Sequence, residues 1–337
     1  MRDRTRLTVT GVPGWLTYAL AKSLRDDPPG GDDTFTALVH HAVTVDDRLR
    51  AQYPNATAWL PFDLASPGDM RPLLEGAETV VHAAGIIHVR RPSDWDRVNT
   101  DGTVALATAA KAAGVKRFVF LSSNAAGGAS TSAAEVLTED VPARPLSRYG
   151  RSKLRAEDAL HALDEPGRFE VVSLRPSMFY GPPVPQRHVD IYRRVKRGRM
   201  PLVGGGDYRR SVTHVENLVQ AVRLAMRKPE AAGQRYYVVD DEIATTRSIV
   251  EAMAEALGVT PRYIRLPALA GSLAYRADRA LEAVGVYVAP VHLIGESNWH
   301  VAISSDKARR ELGYAPARSL REGMREAVQW CVRTGKL

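Results

Sequence analysis

Tyr149 and Lys153 stand four residues apart in the run Ser147-Arg-Tyr-Gly-Arg-Ser-Lys153. On a helix that spacing puts both side chains on one face. An ammonium beside a phenol favours the phenolate and draws its pKa down from about 10, making Tyr149 a general acid/base able to exchange a proton with a substrate oxygen. Taken alone, the same spacing also describes an ordinary solvent-facing pair. Its meaning depends on the elements that position it.

The chain has 337 residues, 45% of them hydrophobic, enough for one large core or two joined lobes. Its only cysteine is Cys331, so an intrachain disulfide and a thiol metal cluster are excluded and a reducing cytoplasm is the expected setting. No metal ligands are assigned. Met1-Arg-Asp-Arg-Thr-Arg reads straight into a strand without an apolar leader, and no stretch reaches the roughly 18 apolar residues of a membrane span, so no membrane partner is expected. Lys and Arg outnumber Asp and Glu by 46 to 38, a net charge of +8. The basic residues are scattered and carry no aromatic-interleaved RNA motif, which ranks a small anionic substrate above nucleic acid.

The positioning elements alternate. Leu7-Thr-Val9 reads as a strand, followed by Thr10-Gly11-Val-Pro13-Gly14 and a helix opening at Trp15 and Leu16. Gly11 allows a tight turn, Gly14 lets backbone approach a pyrophosphate, and the helix N-terminus offers free N–H groups. Pro13 lies in the turn but has no N–H to give. Thr17 stands where a third glycine would be expected, which loosens the helix–strand contact. The Asp26 to Asp33 run reads as a loop. A second strand, Thr34 to Val39, ends in His40-His41, where an acid would select NAD and a cation NADP; neither stands there cleanly, and the cofactor is read as NAD or NADP. Asp63-Leu64, after the strand Trp59 to Phe62, offers a carboxylate to an adenine amino group or a helix cap. Thr79-Val-Val-His82 ends in Ala83-Ala84-Gly85, small residues suited to a flat cofactor lying close by. His82 itself reads as packed. A helix from about Trp95 to Ala113 and a strand Arg117 to Leu121 continue the alternation, which predicts a Rossmann-type doubly wound parallel sheet covered on both faces.

These stretches, with Asn99-x-x-Gly102-Thr103, Phe-Leu-Ser122-Ser123, Tyr149-x-x-x-Lys153 and Arg175-Pro176-x-x-x-Tyr180-Gly181-Pro182, resemble the extended short-chain dehydrogenase/reductase family, the NAD-dependent epimerase/dehydratase-like group. The likeness continues through Gly204 to Leu218 and Asp306 to Tyr314, covering nearly the whole chain. It implies a catalytic trio in which Ser123 bonds the reacting oxygen, Tyr149 exchanges its proton and Lys153 holds the nicotinamide ribose. It also places Asn99 and Pro176 against the cofactor, and Asn124, Met178 and Arg210 against the substrate.

Departures from the family pattern narrow the chemistry. Family dehydratases carry an acidic pair directly after the hydroxyl residue, where this chain has Asn124 and Ala125, and similar decarboxylases carry a Glu at the position of Ala125. Both activities are therefore disfavoured. Met178 replaces an Asn that contacts the diphosphate in nucleotide-sugar epimerases and favours a less polar substrate, whereas Arg210 keeps a phosphate-contacting Arg. Arg187, Arg193 and Arg194 read as solvated charges. Gly127-Gly128 suggests a flexible loop across Asn124 to Leu146 that could close over substrate, and the two glycines read equally well as turn residues.

The expected organisation is a dinucleotide-binding domain over 1–182, with 212–240 returning to it, and a smaller discontinuous substrate lobe over 183–211 and 241–337. Helices are expected near Val189 to Lys196, His214 to Met226, Thr246 to Leu257, Ala268 to Val284 and Leu320 to Val332, with a late strand at Tyr236 to Val239. Trp299 and His300 are weak candidates for the substrate pocket. The helices at Trp95 and Ser147 resemble those that pair in related dimers, so a homodimer is expected. The reading that results is an NAD(P)-dependent epimerase or oxidoreductase of a secondary alcohol or ketone, with a nucleotide-linked sugar ahead of a lipid, steroid-like or natural-product ketone. A non-enzymatic dinucleotide sensor is the reading from another class, and a complete proton relay argues against it.

Overall fold

A computed structural model describes residues 7–26 and 34–337. The expected loop at 27–33 and the first six residues lie outside the described residues. The first half alternates β1 (Leu7–Val12), α1 (Trp15–Asp26), β2 (Phe35–His40), α2 (Asp47–Gln52), β3 (Ala56–Phe62) and β4 (Thr79–His82). Next come a π-helical stretch, Trp95–Gly102, running into α3 (Thr103–Ala112), then β5 (Arg117–Leu121), α4 (Asn124–Gly127), α5 (Arg148–Ala162) and β6 (Glu170–Pro176). Beyond β7 (Met178–Tyr180) lie α6 (Gln186–Lys196), β8 (Met200–Val203), β9 (Arg209–His214), α7 (Val215–Arg227) and β10 (Arg235–Val238). The last quarter holds β11 (Ile243–Thr245), α8 (Thr246–Ala256), β12 (Tyr263–Leu266), α9 (Ala268–Ala283), α10 (Ala289–Glu296), α11 (Asp306–Leu312) and α12 (Leu320–Arg333).

Seven parallel strands form one sheet in the order β10-β6-β5-β4-β1-β2-β3. The strands are apolar on both faces because helices cover both. Leu16, Leu20 and Leu24 of α1 and Leu218, Val219 and Val222 of α7 close one face, while Leu106 and Ala110 of α3 and Ala156 and Leu160 of α5 close the other. Strand order reverses between β1 and β4, so their carboxyl ends open a crevice at the topological switch point. That crevice is where the glycine turn and Ala83–Gly85 meet.

A second assembly packs α6, α8 and α12 around Tyr180, Tyr192, Ile249, Met253, Met324 and Val328, with short sheets β11-β9-β7 and β12-β8. The helix α7 packs in the core of the large sheet, and β10 pairs with β6 at its edge. One segment departs from the expected division. Ala308 and Leu312 of α11, with Tyr314, are buried in the core of the large sheet rather than in the smaller lobe. The stretch Asn124 to Leu146 departs as well. It opens with the helical turn α4 and is tied down by Arg144 N–H to the Gly127 carbonyl (2.8 Å), Ser130 N–H to that of His300 (2.9 Å) and Leu137 N–H to that of Ala302 (2.8 Å). Gly127 is there for space, because a Cβ would run into the Tyr237 phenol.

Candidate active site

The Ser147 side chain accepts from the Gly150 N–H and caps the N-terminus of α5. The helix then carries Tyr149 and Lys153 on the face turned to the end of β5, where Ser123 begins α4. The Ser123 hydroxyl accepts from Ala125 N–H (3.2 Å) and bonds the Tyr149 phenol, favouring the phenolate. Burial outweighs that bond and raises the phenol's pKa above 10, so at neutral pH Tyr149 is a protonated donor. Lys153 reaches the end of β5. Its ammonium lies 2.8 Å from the Leu121 carbonyl and 4.4 Å from the centre of the Phe120 ring, and burial lowers its pKa to about 8 against the opposing pull of Glu157.

The glycine turn is built for close approach. Gly11 holds φ +86°, and a Cβ on it would lie 2.9 Å from the Ala83 carbonyl carbon. Thr17 tightens rather than loosens this turn: its buried hydroxyl accepts from Gly14 N–H (2.9 Å) and lies 3.2 Å and 3.0 Å from the Gly11 and Gly14 carbonyls. The Gly14 N–H is thereby engaged. The first-turn N–H groups of Trp15 and Leu16 have no acceptor within α1 and face the crevice end of the helix. Pro13 is exposed beside them. Ala83, Ala84 and Gly85 leave their backbone partly open at the end of β4. The residues present therefore fit a dinucleotide lying from the glycine turn across β4 to Lys153.

Other candidates take more structural positions. Both ends of the buried Asn99 amide bond Ile86 backbone, at 2.8 Å and 2.9 Å, so Asn99 positions the loop after β4. Asp63 uses Oδ1 on the Ala65 N–H (2.7 Å) and lies 3.8 Å and 3.6 Å from the exposed, mutually stacked His40 and His41. Leu64 is buried against Gly102. Pro176 is buried at the end of β6, paired with Val238. His82 bridges Thr10 (2.8 Å) and Thr103 (3.0 Å), and burial lowers its pKa to about 3, the packed histidine expected. His300 accepts from the Arg209 N–H (3.0 Å), and Trp299 packs on Tyr275.

Among the substrate candidates, Asn124 is half-buried in α4 and Met178 is exposed on β7. Arg210 donates to the Glu296 carbonyl (2.7 Å), and burial lowers its pKa. Two further groups reach the site unannounced by the sequence. Arg187, in the first turn of α6, is exposed, as a solvated charge would be, yet lies within electrostatic reach of the Tyr149 phenol, and Glu296 of α10 reaches the same phenol. Neither belongs to a motif; long-range folding alone brings them in. Glu296 is held by His292, which sits 2.9 Å from Asp278 and 3.3 Å from Glu296. Burial opposes the imidazolium, but these carboxylates outweigh it and raise the pKa to about 9.

The sign of that shift gives a prediction. A histidine raised from 6.5 to about 9 contributes stability that is complete below 6.5 and lost as pH rises through about 9. Melting curves of the wild type and of His292→Gln should accordingly differ most near pH 6, narrow as pH rises and converge above pH 9. A difference that does not change with pH would refute the charged assignment.

Glycine turn, parallel sheet and switch-point crevice define a dinucleotide-binding protein of the Rossmann class. Residues 7–240 match the model of the NAD dependent epimerase/dehydratase family, and the chain belongs to that family. It is 30% identical to a UDP-glucose 4-epimerase of Vibrio cholerae, with 96% of this chain and 94% of that protein aligned. It is 27% identical to a 4-hydroxy-2-methyl-3-oxo-4-farnesyl-3,4-dihydroquinoline-1-oxide ketoreductase of Stigmatella aurantiaca, over 95% and 94% of the two chains. The solved dTDP-glucose 4,6-dehydratase DesIV of Streptomyces venezuelae shares the fold, with TM-score 0.78, 22% identity and 97% of each chain covered.

Proposed function

We propose that the protein is an NAD(P)-dependent epimerase or oxidoreductase acting on a secondary alcohol or ketone of a nucleotide-linked sugar, with Ser123, Tyr149 and Lys153 at the reacting centre. The bound dinucleotide supplies hydride exchange. Trp15 and Leu16 donate backbone N–H groups to its phosphates, Ala83 to Gly85 lie along it, and Lys153 turns its remaining donors to the ribose. Ser123 holds the substrate oxygen; Tyr149 as the neutral phenol gives that oxygen a proton when a ketone is reduced, becoming a phenolate, and as the phenolate takes the proton of an alcohol that is oxidised. Asn124 and Ala125 offer no carboxyl group beside Ser123, which keeps dehydration outside the proposal.

The observation that favours an anionic substrate is that Arg187 lies within electrostatic reach of the Tyr149 phenol, while Arg210 is held on Glu296, which reaches the same phenol. Neither makes a salt bridge among the described residues, and a guanidinium so placed suits phosphate. Arg187→Ala and Arg210→Ala should each raise KM for the nucleotide-linked substrate about tenfold or more, with a smaller change in kcat, consistent with the roughly 1.5–3 kcal/mol of a charged hydrogen bond. Unchanged KM in both variants would remove the anionic substrate from the reading.

A second reading, reduction of an apolar ketone, rests on Met178, which is exposed on β7 and stands in the sequence where the sugar-nucleotide epimerases carry an Asn. Stoichiometry separates the two: reduction consumes one NAD(P)H per turnover and epimerisation none. We further propose a cytoplasmic homodimer paired through the Trp95–Ala112 and α5 helices. A stable monomer in sedimentation at micromolar concentration would contradict that assembly.

A further inference from the structure

The hairpin of α9 and α10 is inverted relative to an ordinary surface helix. Its inner face carries the charges: Asp278 and Glu282 are only 2% and 4% exposed, and His292 is buried with them. Its outer face carries the hydrocarbon. Leu269 is 66% exposed, Leu273 55%, Val284 74% and Leu293 of α10 56%. Positions 269, 273, 277, 280 and 284 follow helical spacing and form one stripe of Leu, Leu, Ala, Ala and Val along α9.

The inversion is fixed from within. Arg279 bridges Asp278 (2.8 Å) and Glu282 (2.6 Å), His292 joins Asp278 to Glu296, and Gly295 lets α10 pack directly on the Tyr275 backbone. Rolling the leucines inward would break these buried ion pairs, which is strongly unfavourable when a partner is left behind. The outward apolar face is thus the state the fold holds.

Charge identifies what it meets. From residue 261 to the end of α10 at Glu296 the exposed charged residues are Arg262, Arg265 and Arg276; Asp278 and Glu282 are buried, and the one carboxylate with open surface, Glu296, is paired with His292. Apolar side chains beside cations of one sign match the boundary of an anionic bilayer, where leucines enter the acyl edge and guanidiniums meet phosphate. A second copy fits poorly, because a two-fold pairing of this face sets the arginines of one copy against those of the other. Among the described residues no helix is long and apolar enough to cross a membrane, so the contact lies on the surface.

We propose that the α9–α10 hairpin docks the protein on an anionic phospholipid surface. This amends the sequence expectation of no membrane partner, and it holds whichever substrate the Tyr149 site takes. Docking there sets the site beside the lipid. Tyr287, in the turn between the helices, packs at 5.1 Å on Trp95, whose ring lies 6.3 Å from that of Tyr149.

The test is co-sedimentation of the full chain with vesicles of phosphatidylcholine and of phosphatidylcholine mixed with phosphatidylglycerol. The wild type should sediment with the mixed vesicles and be released by salt. Leu269→Glu/Leu273→Glu and Arg265→Gln/Arg276→Gln should each lower the partition coefficient about tenfold or more, with melting temperature and dinucleotide binding preserved. Wild-type protein left in the supernatant with mixed vesicles would overturn the proposal, as would variants that bind as the wild type does. A Leu269→Glu/Leu273→Glu variant that dissociates a dimer while vesicle binding is unaffected would assign the face to a second copy instead.

Discussion

Tyr149→Phe should lower turnover about a thousandfold, within the roughly 10²–10⁴ range of a positioned proton donor, while leaving dinucleotide affinity nearly unchanged. The substitution removes one oxygen and keeps the ring that packs near Trp95. In the proposed function, dinucleotide binding would draw on groups the substitution does not touch: the turn at Gly11, the α1 N-terminus, Ala83 to Gly85 and Lys153. What is lost is the proton itself. The Tyr149 phenol is kept neutral by burial, against the opposing pull of its bond to Ser123. Steady-state rates and dinucleotide titration of the same preparation check both halves, and a fully active Tyr149→Phe enzyme would remove Tyr149 from the chemistry.

Glu157→Ala should destabilise the fold by about 3–5 kcal/mol, the usual cost of removing one partner from a buried ion pair. Glu157 and Arg175 are both buried, and the guanidinium Nε lies 3.0 Å and 3.1 Å from the carboxylate oxygens while Nη2 lies at 2.6 Å. Burial opposes the Arg175 charge, but the carboxylate outweighs it and raises the pKa. Losing Glu157 would strand that cation in the core. Replacing both partners at once, by Glu157→Leu/Arg175→Met, should recover much of the stability, because no uncompensated charge remains. Glu157 also stands one helical turn beyond Lys153 and supports its ammonium, so its loss should shift the alkaline limb of the pH–rate profile to lower pH. Denaturant unfolding measures the first effect and the pH profile the second. A destabilisation below about 1 kcal/mol would show that the pair does not bear on stability as a buried pair should.

Much of this fold was legible because β1, β4 and β5 of the large sheet are short apolar runs that each lead into a helix. The Ser147 cap and the four-residue step from Tyr149 to Lys153 located the face of α5 without further information. The pKa of that face was not legible. It depends on the depth at which α5 packs and on the Leu121 carbonyl that engages Lys153, and burial reversed the direction expected for Tyr149. Gly127 was misread because a glycine needed for space beside Tyr237 looks, in sequence, the same as one needed for flexibility. Arg187 and Glu296 escaped for another reason: they come to Tyr149 from elements far along the chain, and no local spacing encodes such a meeting. The placement of α11 against the large sheet was hidden in the same way.

The most direct test of the central claim is to load the protein with NAD or NADP in the oxidised form, add UDP-, dTDP- or GDP-linked sugars one at a time, and follow the near-ultraviolet band of reduced nicotinamide while the sugar is analysed. A nucleotide-sugar site of the proposed kind predicts that one sugar converts, that the band rises with its conversion in the wild type, transiently for epimerisation or lastingly for oxidation, and that Tyr149→Phe abolishes both. Conversion of a sugar with no reduced nicotinamide formed, or with equal rate in protein stripped of dinucleotide, would contradict it.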